Sequence, residues 1–588
     1  MISLNTAELF RKILLFCFLF FLASNVAAAN KYWVAANNGT TKYWNDNANW
    51  ANSRTGSPGV AYPRIGQKVI FNSRSTVDVT LRADASTRRL QMFNGYTGTI
   101  NANGHNLTSR QGARVYSGTI LVPSGSKLRT ITRHYSIIDT GATITATNGR
   151  LHFNGNLNIR GGTLNAPSGF LTVRGNWANS GTFTHNSGTV IFNPSRNNRL
   201  INPGGTGSTK AFYNVKKVGN KIIKLSDDIS LNDFEIALRG GTWNAQGNDM
   251  SVSGNWKVNN RSVYTHGNNT VTFSGSSSQE INVYPSRGDF YNLRVSNTAA
   301  TVSADSNAIV IDNTLTIDSN ATFDIEGQNL TTATLTNNGN LQLQGGETVA
   351  ISTMDINSGT VTYDGTGTYT QLAAGDAYYN LTLNSSSGSI TLDANLDVNG
   401  GLTITDGTLD VSTNNRSIDV AGNWSNSDTF VSRSGTVTFD GTSTVTTGGI
   451  TANTKDFHDV ILSGSATQST NAIDIDGDFT ISSSGTWDTS NLCMYVAGTT
   501  TTGSGTLTNA APTLSSTLSS PADGATGVSA TANIVLTFSE AVDVESGNIV
   551  IKKTSDDSTV ETIAVTDSKI TGTGTDTITI NPSVTLAS

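Results

Sequence analysis

A stretch of about eighty residues recurs along this 588-residue chain, and it limits what the chain can fold into more than any other feature. The segment "GTVIF" (188–192) returns as "NTVTF" (269–273), "GTVTY" (359–363) and "GTVTF" (435–439). "FYNV" (212–215) returns as "FYNL" (290–293), "YYNL" (378–381) and "FHDV" (457–460). "FEI" (234–236) has counterparts at 315–317, 402–404 and 479–481, and "GTWN" (241–244) has them at 321–324, 407–410 and 485–488. Four blocks keep one order four times, and successive copies of the second block start 78, 88 and 79 residues apart. "GNW" is a further station, at 175–177, 254–256 and 422–424. Its last two copies stand 168 residues apart, two periods, with "TNNGN" (336–340) where the middle copy belongs. Regular repetition on this scale precedes any other fold assignment.

Two architectures carry such a period. One is a string of Ig-like sandwiches of roughly 100 residues each. The other is a β-solenoid in which three or four coils make one sequence period. The text favours the solenoid. Gly-Thr followed by an apolar residue recurs at Gly181, Gly188, Gly407, Gly435, Gly485 and Gly505, no proline-rich linkers separate the copies, and no Cys-Trp-Cys core appears. Short Val/Ile/Thr/Phe runs broken by Gly, Asn and Asp read as strands and turns, with 58 Gly against 10 Pro and few helix-forming runs. Alternate apolar residues then point inward, which predicts buried strand positions at Val190, Val271, Val361 and Val437. The GNW stations read as coil corners: Gly for the bend, where positive φ is often required, Asn for local hydrogen bonds, and Trp over an edge of the core. A sugar-stacking platform is the alternative role for these tryptophans.

The first thirty residues differ. Arg11 and Lys12 precede an apolar run (13–23), and Ala27-x-Ala29 supplies small residues at a cleavage position. These are the parts of a secretory signal peptide. Its removal leaves Cys493 alone, so an intramolecular disulfide and a cysteine metal site are both ruled out. Cys493 reads as a buried, inert thiol, and no later segment is apolar enough to cross a bilayer. An exported chain of this size without disulfides reads as bacterial.

Charge is unevenly spread about a formal net of −6. Over 31–129 the only carboxylates are Asp46, Asp78 and Asp84, whereas basic residues are sparse from Thr301 onward. The chain has a basic head and an acidic body. Arg88, Arg89, Arg110 and Arg114 are the candidates for contact with an anionic polysaccharide; solvated faces are the plainer reading of the same residues.

The head carries "KYWVAANNGTTKYWNDNANW", then "PRIGQKVIF". Through Trp33, Trp44, Trp50, Pro63 and Phe71 it resembles a module placed after the signal peptide in bacterial secreted and surface β-repeat proteins. An aromatic cap is expected at an open solenoid end, where core and strand edges would otherwise face water. From Pro512, the text "SSPADGATGVSATANIVLTFSEAVD" resembles the SbsA-type Ig-like domain of bacterial surface-layer and secreted proteins. That match rests on Pro521, Asp523, Gly524, Ala525, Gly527, Val528 and the strand 534–538 with Ser539 and Glu540. The resemblance implies a β-sandwich spacer or attachment module rather than an enzyme. It also implies strands beyond "TITINPSVTLAS", so the sandwich is expected to be incomplete and the chain to continue past Ser588. The repeats between the ends resemble adhesin-like surface proteins more loosely.

Catalytic chemistry on a β-helix needs grouped carboxylates, or a basic residue beside calcium ligands. The best acidic cluster, Asp474, Asp476 and Asp478 in "IDIDGDF", lacks EF-hand spacing. His185 and His266 occupy matching places in two successive copies only. No histidine pair has metal spacing, and no Gly-x-Ser-x-Gly elbow or phosphate loop is present.

The reading is therefore an all-β chain: a parallel β-helix-like solenoid of four ~80-residue repeats between an N-terminal aromatic cap and an incomplete C-terminal Ig-like sandwich. The expected segments are a signal peptide (1–29), cap module (30–150), solenoid repeats (151–509) and Ig-like domain (510–588). The expected role is non-catalytic extracellular structure or adhesion, secreted or at the cell surface. No catalytic, cofactor-binding or metal residues are assigned and no cofactor is called for. Polysaccharide or other cell-surface components are the expected partners, and nucleic acid is not. A secreted polysaccharide lyase or glycosidase on a β-helix is the alternative.

Overall fold

In a computed structural model, the chain is all-β: 48% strand, forming a β-solenoid of about 21 turns followed by an Ig-like domain. The structure describes residues 29–448, 457–482, 484–490, 492–508, 514–515, 518–522, 524–544 and 547–585. Residues 1–28 of the expected signal peptide (1–29) and the last three residues lie outside them. The chain divides into two compact units at Thr314/Leu315.

The first unit is a stack of coils with three strand-bearing faces. The first face runs upward from Lys68–Phe71 through Arg89–Met92, Ala113–Val115 and Ser136–Asp139, every neighbour parallel and in register. The second face includes Thr99–Asn101, Gly118–Leu121 and Ala142–Thr145. The third includes Lys127–Thr130, Arg150–Phe153 and Phe170–Val173. Parallel coils thus already occupy much of the stretch 30–150 that was expected as the cap module. Most strands of this unit are three or four residues long and alternate buried with partly exposed positions, so Val, Ile, Leu and Phe of all three faces meet in one core.

The open end is closed by aromatic residues. Lys31–Trp33 pairs parallel with the first coil and antiparallel with Trp50–Ala51. Trp33, Trp44 and Trp50 are fully buried, with Trp50 about 5.1 Å from each of the other two rings and Phe71 beneath all three. The Trp33 and Trp50 indoles donate to the carbonyls of Val77 and Trp44.

Val190, Val271, Val361 and Val437 lie on strands, and none is more than 3% exposed. At the GNW stations the packing role expected of the tryptophans holds and the sugar-stacking alternative does not. Trp177, Trp256 and Trp424 are core residues, at most 1% exposed, so the sugar-stacking role is closed to them. Each packs on a second aromatic a few residues on (Phe183, Tyr264, Phe430; about 5 Å) and on the first residue of the next FYN block (Phe212, Phe290, Phe457; 5.1–5.4 Å). Two blocks that look independent in the sequence are therefore one packing unit.

The glycine acts differently from expectation. Gly175, Gly254 and Gly422 do not have positive φ. A Cβ on Gly422 would sit 2.6 Å from the carbonyl carbon and oxygen of Gly400, and one on Gly175 would collide with the backbone of Gly155 and Asn156. At Gly175 and Gly422 glycine is needed because the backbone of the coil below passes against it, whereas at Gly254 the near atoms belong to the Asn232 and Asp233 side chains. The asparagine joins coils: Oδ1 of Asn176, Asn255 and Asn423 accepts the N–H of Leu200, Glu280 and Thr444 one coil on. Where corners align the bonds run on, as from Asp233 to Asn255 to Glu280.

The second unit holds further coils and the Ig-like domain. Its ladders include Val361–Leu381–Leu402–Trp424–Val445 and Leu396–Ile418–Val437–Val460–Phe479. In the Ig-like domain Ile534–Val542 pairs antiparallel with Thr575–Ile580, and Asn548–Lys552 with Thr559–Ala564. Ile563, Ile570, Ile578 and Ile580 form its core, with Leu536 and Phe538 packed against them.

Candidate ligand-binding cleft

Outward side chains on the first face of the first unit are spaced by the coil, so residues about 22 positions apart become neighbours. Tyr32 points out because Lys31 and Trp33 point in. Lys68 stands beside Arg89 in the ladder, and Gln91 beside Arg114. Phe93 and Tyr116 follow the strands of successive coils, where their N–H groups bond to Phe71 and Met92 carbonyls. Their rings stack with centroids 5.9 Å apart and planes 12° from parallel. Tyr32, Lys68, Phe93 and Tyr116, with Arg54 from the loop after Trp50–Ala51, line an open cleft of about 630 Å³.

Its electrostatics are one-sided. Residues 31–200 contain nineteen Lys/Arg and four Asp/Glu. All four carboxylates are engaged: Asp46 accepts from Ala48 N–H, Asp78 from Thr99 N–H, Asp84 from Asn106, and Asp139 from Arg160. Arg160 is the one cation of this stretch in an ion pair. Burial lowers the Lys68 ammonium pKa, and the guanidinium groups of Arg89, Arg114 and Arg88 lower it further. Arg89 is lowered by burial, then by Arg114 and Arg88. The Nε atoms of Arg88, Arg89 and Arg114 are buried without a hydrogen-bond partner. Arg114 donates to the Tyr135 hydroxyl, its guanidinium 4.4 Å from that ring. Cations are held close together here with no anion to balance them.

Of the four arginines singled out in the sequence, Arg88, Arg89 and Arg114 come together around Lys68. Arg110 sits exposed at the corner after Asn106–Ser109, outside that group. Sequence reasoning missed Tyr32, Arg54, Lys68, Phe93 and Tyr116. The usable signal was the recurrence of outward aromatic and basic residues at coil spacing, which is invisible until the register is known.

The other candidates make local structural contacts. Asp478 belongs to a corner ladder, accepting from Thr499 N–H while its own N–H bonds to Asp459. Asp474 has its pKa raised by burial first and by Asp476 second. His185 and His266 do equivalent work: Nδ1 of each accepts the N–H two residues on, and each ring lies over a tyrosine, Tyr213 or Tyr291. Cys493 is half-buried rather than buried, its thiol directed at the Ala541 carbonyl. Among the described residues no three His, Cys, Asp or Glu side chains converge as a metal site. None of the described helices is long and apolar enough to cross a membrane.

Comparison with known families matches residues 508–588 to the bacterial Ig-like domain Big_5. Domains of this family occur in surface proteins. No curated protein and no solved structure matches the chain.

Proposed function

We propose that this is a non-catalytic structural and adhesion protein of the bacterial exterior, in which the solenoid is a stiff display surface and the Ig-like domain, read as SbsA-type, is a spacer or attachment module. The observation that carries this reading is the pairing of a solenoid cored throughout by side chains with a bacterial Ig-like domain. Within each unit a parallel stack resists bending because each coil hydrogen-bonds and packs on its neighbours. Function in such folds resides in particular sites rather than in the architecture, so the proposal stands or falls on behaviour at a surface.

The test is protease shaving of intact cells, with adhesion of cells lacking the gene measured beside it. Surface release of solenoid peptides and an adhesion defect restored by the intact gene are the expected results. Protein confined to the cytoplasm refutes the reading. So does reducing-sugar or unsaturated-uronide release by the purified chain, which would favour a polysaccharide-degrading enzyme.

A further inference from the structure

We propose that the cleft bounded by Arg54, Lys68, Phe93 and Tyr116 binds an acidic polysaccharide, which rests on the adhesion reading and gives it a ligand class. Three observations point the same way. The cleft sets cations beside aromatic faces: Tyr32, Phe93 and Tyr116 offer flat apolar surface for the C–H faces of pyranose rings, while Arg54 and Lys68 supply charged donors. Asn72 and Asn94 add amides suited to hydroxyl groups. This is the usual composition of a site in which apolar lining gives area and a few polar groups give orientation.

The second observation is the missing counter-charge. Arg88, Arg89 and Arg114 surround Lys68, and every carboxylate of residues 31–200 is already bonded elsewhere. A carboxylate or sulfate entering the cleft meets no competing anion of the protein. It also relieves repulsion among cations that the fold holds together.

The third is geometry. Parallel coils rise about 4.8 Å each, so outward residues form straight columns with one residue per coil. That rise is close to the length of one pyranose residue in an extended chain. An extended polyuronate keeps its charges in line with such a column, whereas a nucleic acid duplex winds its phosphates away from a flat face within a few nucleotides. Lys68 and Arg89 stand in one such column, and Arg114 stands in the neighbouring column beside Gln91.

The experiment uses the full chain, immobilised and titrated with polygalacturonate, dextran sulfate, neutral dextran and duplex DNA. The acidic polysaccharides are expected to bind and neutral dextran not to bind. Affinity should fall steeply as salt rises from about 0.05 to about 0.5 M. Lys68→Gln should weaken binding about tenfold, the loss of one charge-assisted hydrogen bond, and Lys68→Arg should keep most of it. Phe93→Ala, at an exposed position, should weaken binding while leaving the salt dependence unchanged, and it carries the test should the lysine variants fold poorly. Undiminished binding by both Lys68→Gln and Phe93→Ala overturns the proposal, as does equal binding of neutral dextran. Duplex DNA displacing polygalacturonate at lower concentration also overturns it. Cell adhesion without polyanion binding would sink this inference alone. Polyanion binding by a protein that mediates no adhesion would sink the parent reading alone.

Discussion

Replacing Gly422 tests why glycine precedes Asn-Trp at each station. If the residue were there for a left-handed backbone, asparagine would substitute well, since it tolerates positive φ better than other side chains. Gly422 does not have positive φ, and its missing Cβ would lie 2.6 Å from the carbonyl group of Gly400. Ordinary contact needs about 3.5–4.0 Å, so the two backbones would have to part by roughly an ångström. Around that point Gly422 N–H bonds to the Gly400 carbonyl at 2.8 Å, Leu402 N–H to the Asn423 carbonyl at 2.9 Å, and Asn423 Oδ1 accepts from Thr444 N–H at 2.8 Å. Overpacking costs about 1–3 kcal/mol and one lost hydrogen bond about 1 kcal/mol, giving about 2–4 kcal/mol for Gly422→Ala. Gly422→Asn should cost at least as much. Gly141, with φ +82° and open space around its Cβ direction, is the control: there alanine should be strained and asparagine tolerated. Peptide-resolved hydrogen exchange measures the local opening equilibrium. A change of 2–4 kcal/mol corresponds to exchange about 30- to 1,000-fold faster in peptides covering 398–426. Asparagine tolerated at 422 while alanine is not would refute the close-approach argument, and so would both being neutral.

Trp256→Ala should cost about 3–5 kcal/mol in urea unfolding, with Trp256→Phe costing clearly less, because the ring is wholly buried against Phe234, Tyr264 and Phe290. Asn255→Ala removes the acceptor for Glu280 N–H and should cost about 1 kcal/mol by the same measurement, while Asn255→Asp keeps it and should be milder. Asp364 has its pKa pushed up to about 6 by burial and by Asp324, Glu326 and Glu347. An acid that binds its proton more tightly when folded loses stability as pH rises from about 4 to about 6, so the stability gap between Asp364→Asn and the parent chain should open over that window and stay flat above it.

How far the sequence could be read follows from what each feature depends on. Burial of Val190, Val271, Val361 and Val437 was legible because period-two alternation within a strand is local. The role of Gly422 was not, because its constraint is a backbone twenty-two residues away. Lys217 was equally hidden: it occupies an inward position, fully buried, with its ammonium donating to the carbonyls of Val218, Gly219 and Gly240. A lysine in a strand reads as an outward residue unless the corner carbonyls that receive it are known. The cleft was half legible. The excess of positive charge in the head shows in composition, and Arg88, Arg89 and Arg114 were marked, but the pairing of Lys68 with Arg89 and the stacking of Phe93 on Tyr116 exist only once coil length is fixed.

Coil length also explains how the repeats relate to function. In the first unit, three coils carry Val215 through Phe234 and Trp256 to Ile281, and the equivalent residue Leu293 lies on another face, in the ladder of Met250 and Val271. The second unit repeats the pattern: Leu381, Leu402, Trp424 and Val445 share a ladder, while Val460 belongs with Ile418 and Val437. An interval of 78 or 79 residues is therefore three coils and two faces rather than a whole number of turns. Inward positions are indifferent to this, since all three faces look into one core, and that is where the repeated blocks carry their Val, Phe and Trp. Outward positions are not indifferent. Any ligand contact written into the repeat would point to a different side in the next copy and could not build one continuous binding surface. Such a chain conserves its packing from copy to copy and must place specific recognition where the pattern is broken. The cleft residues Tyr32, Lys68, Phe93 and Tyr116 lie ahead of the first repeated block, free of that alternation, on or beside the strands of a single face.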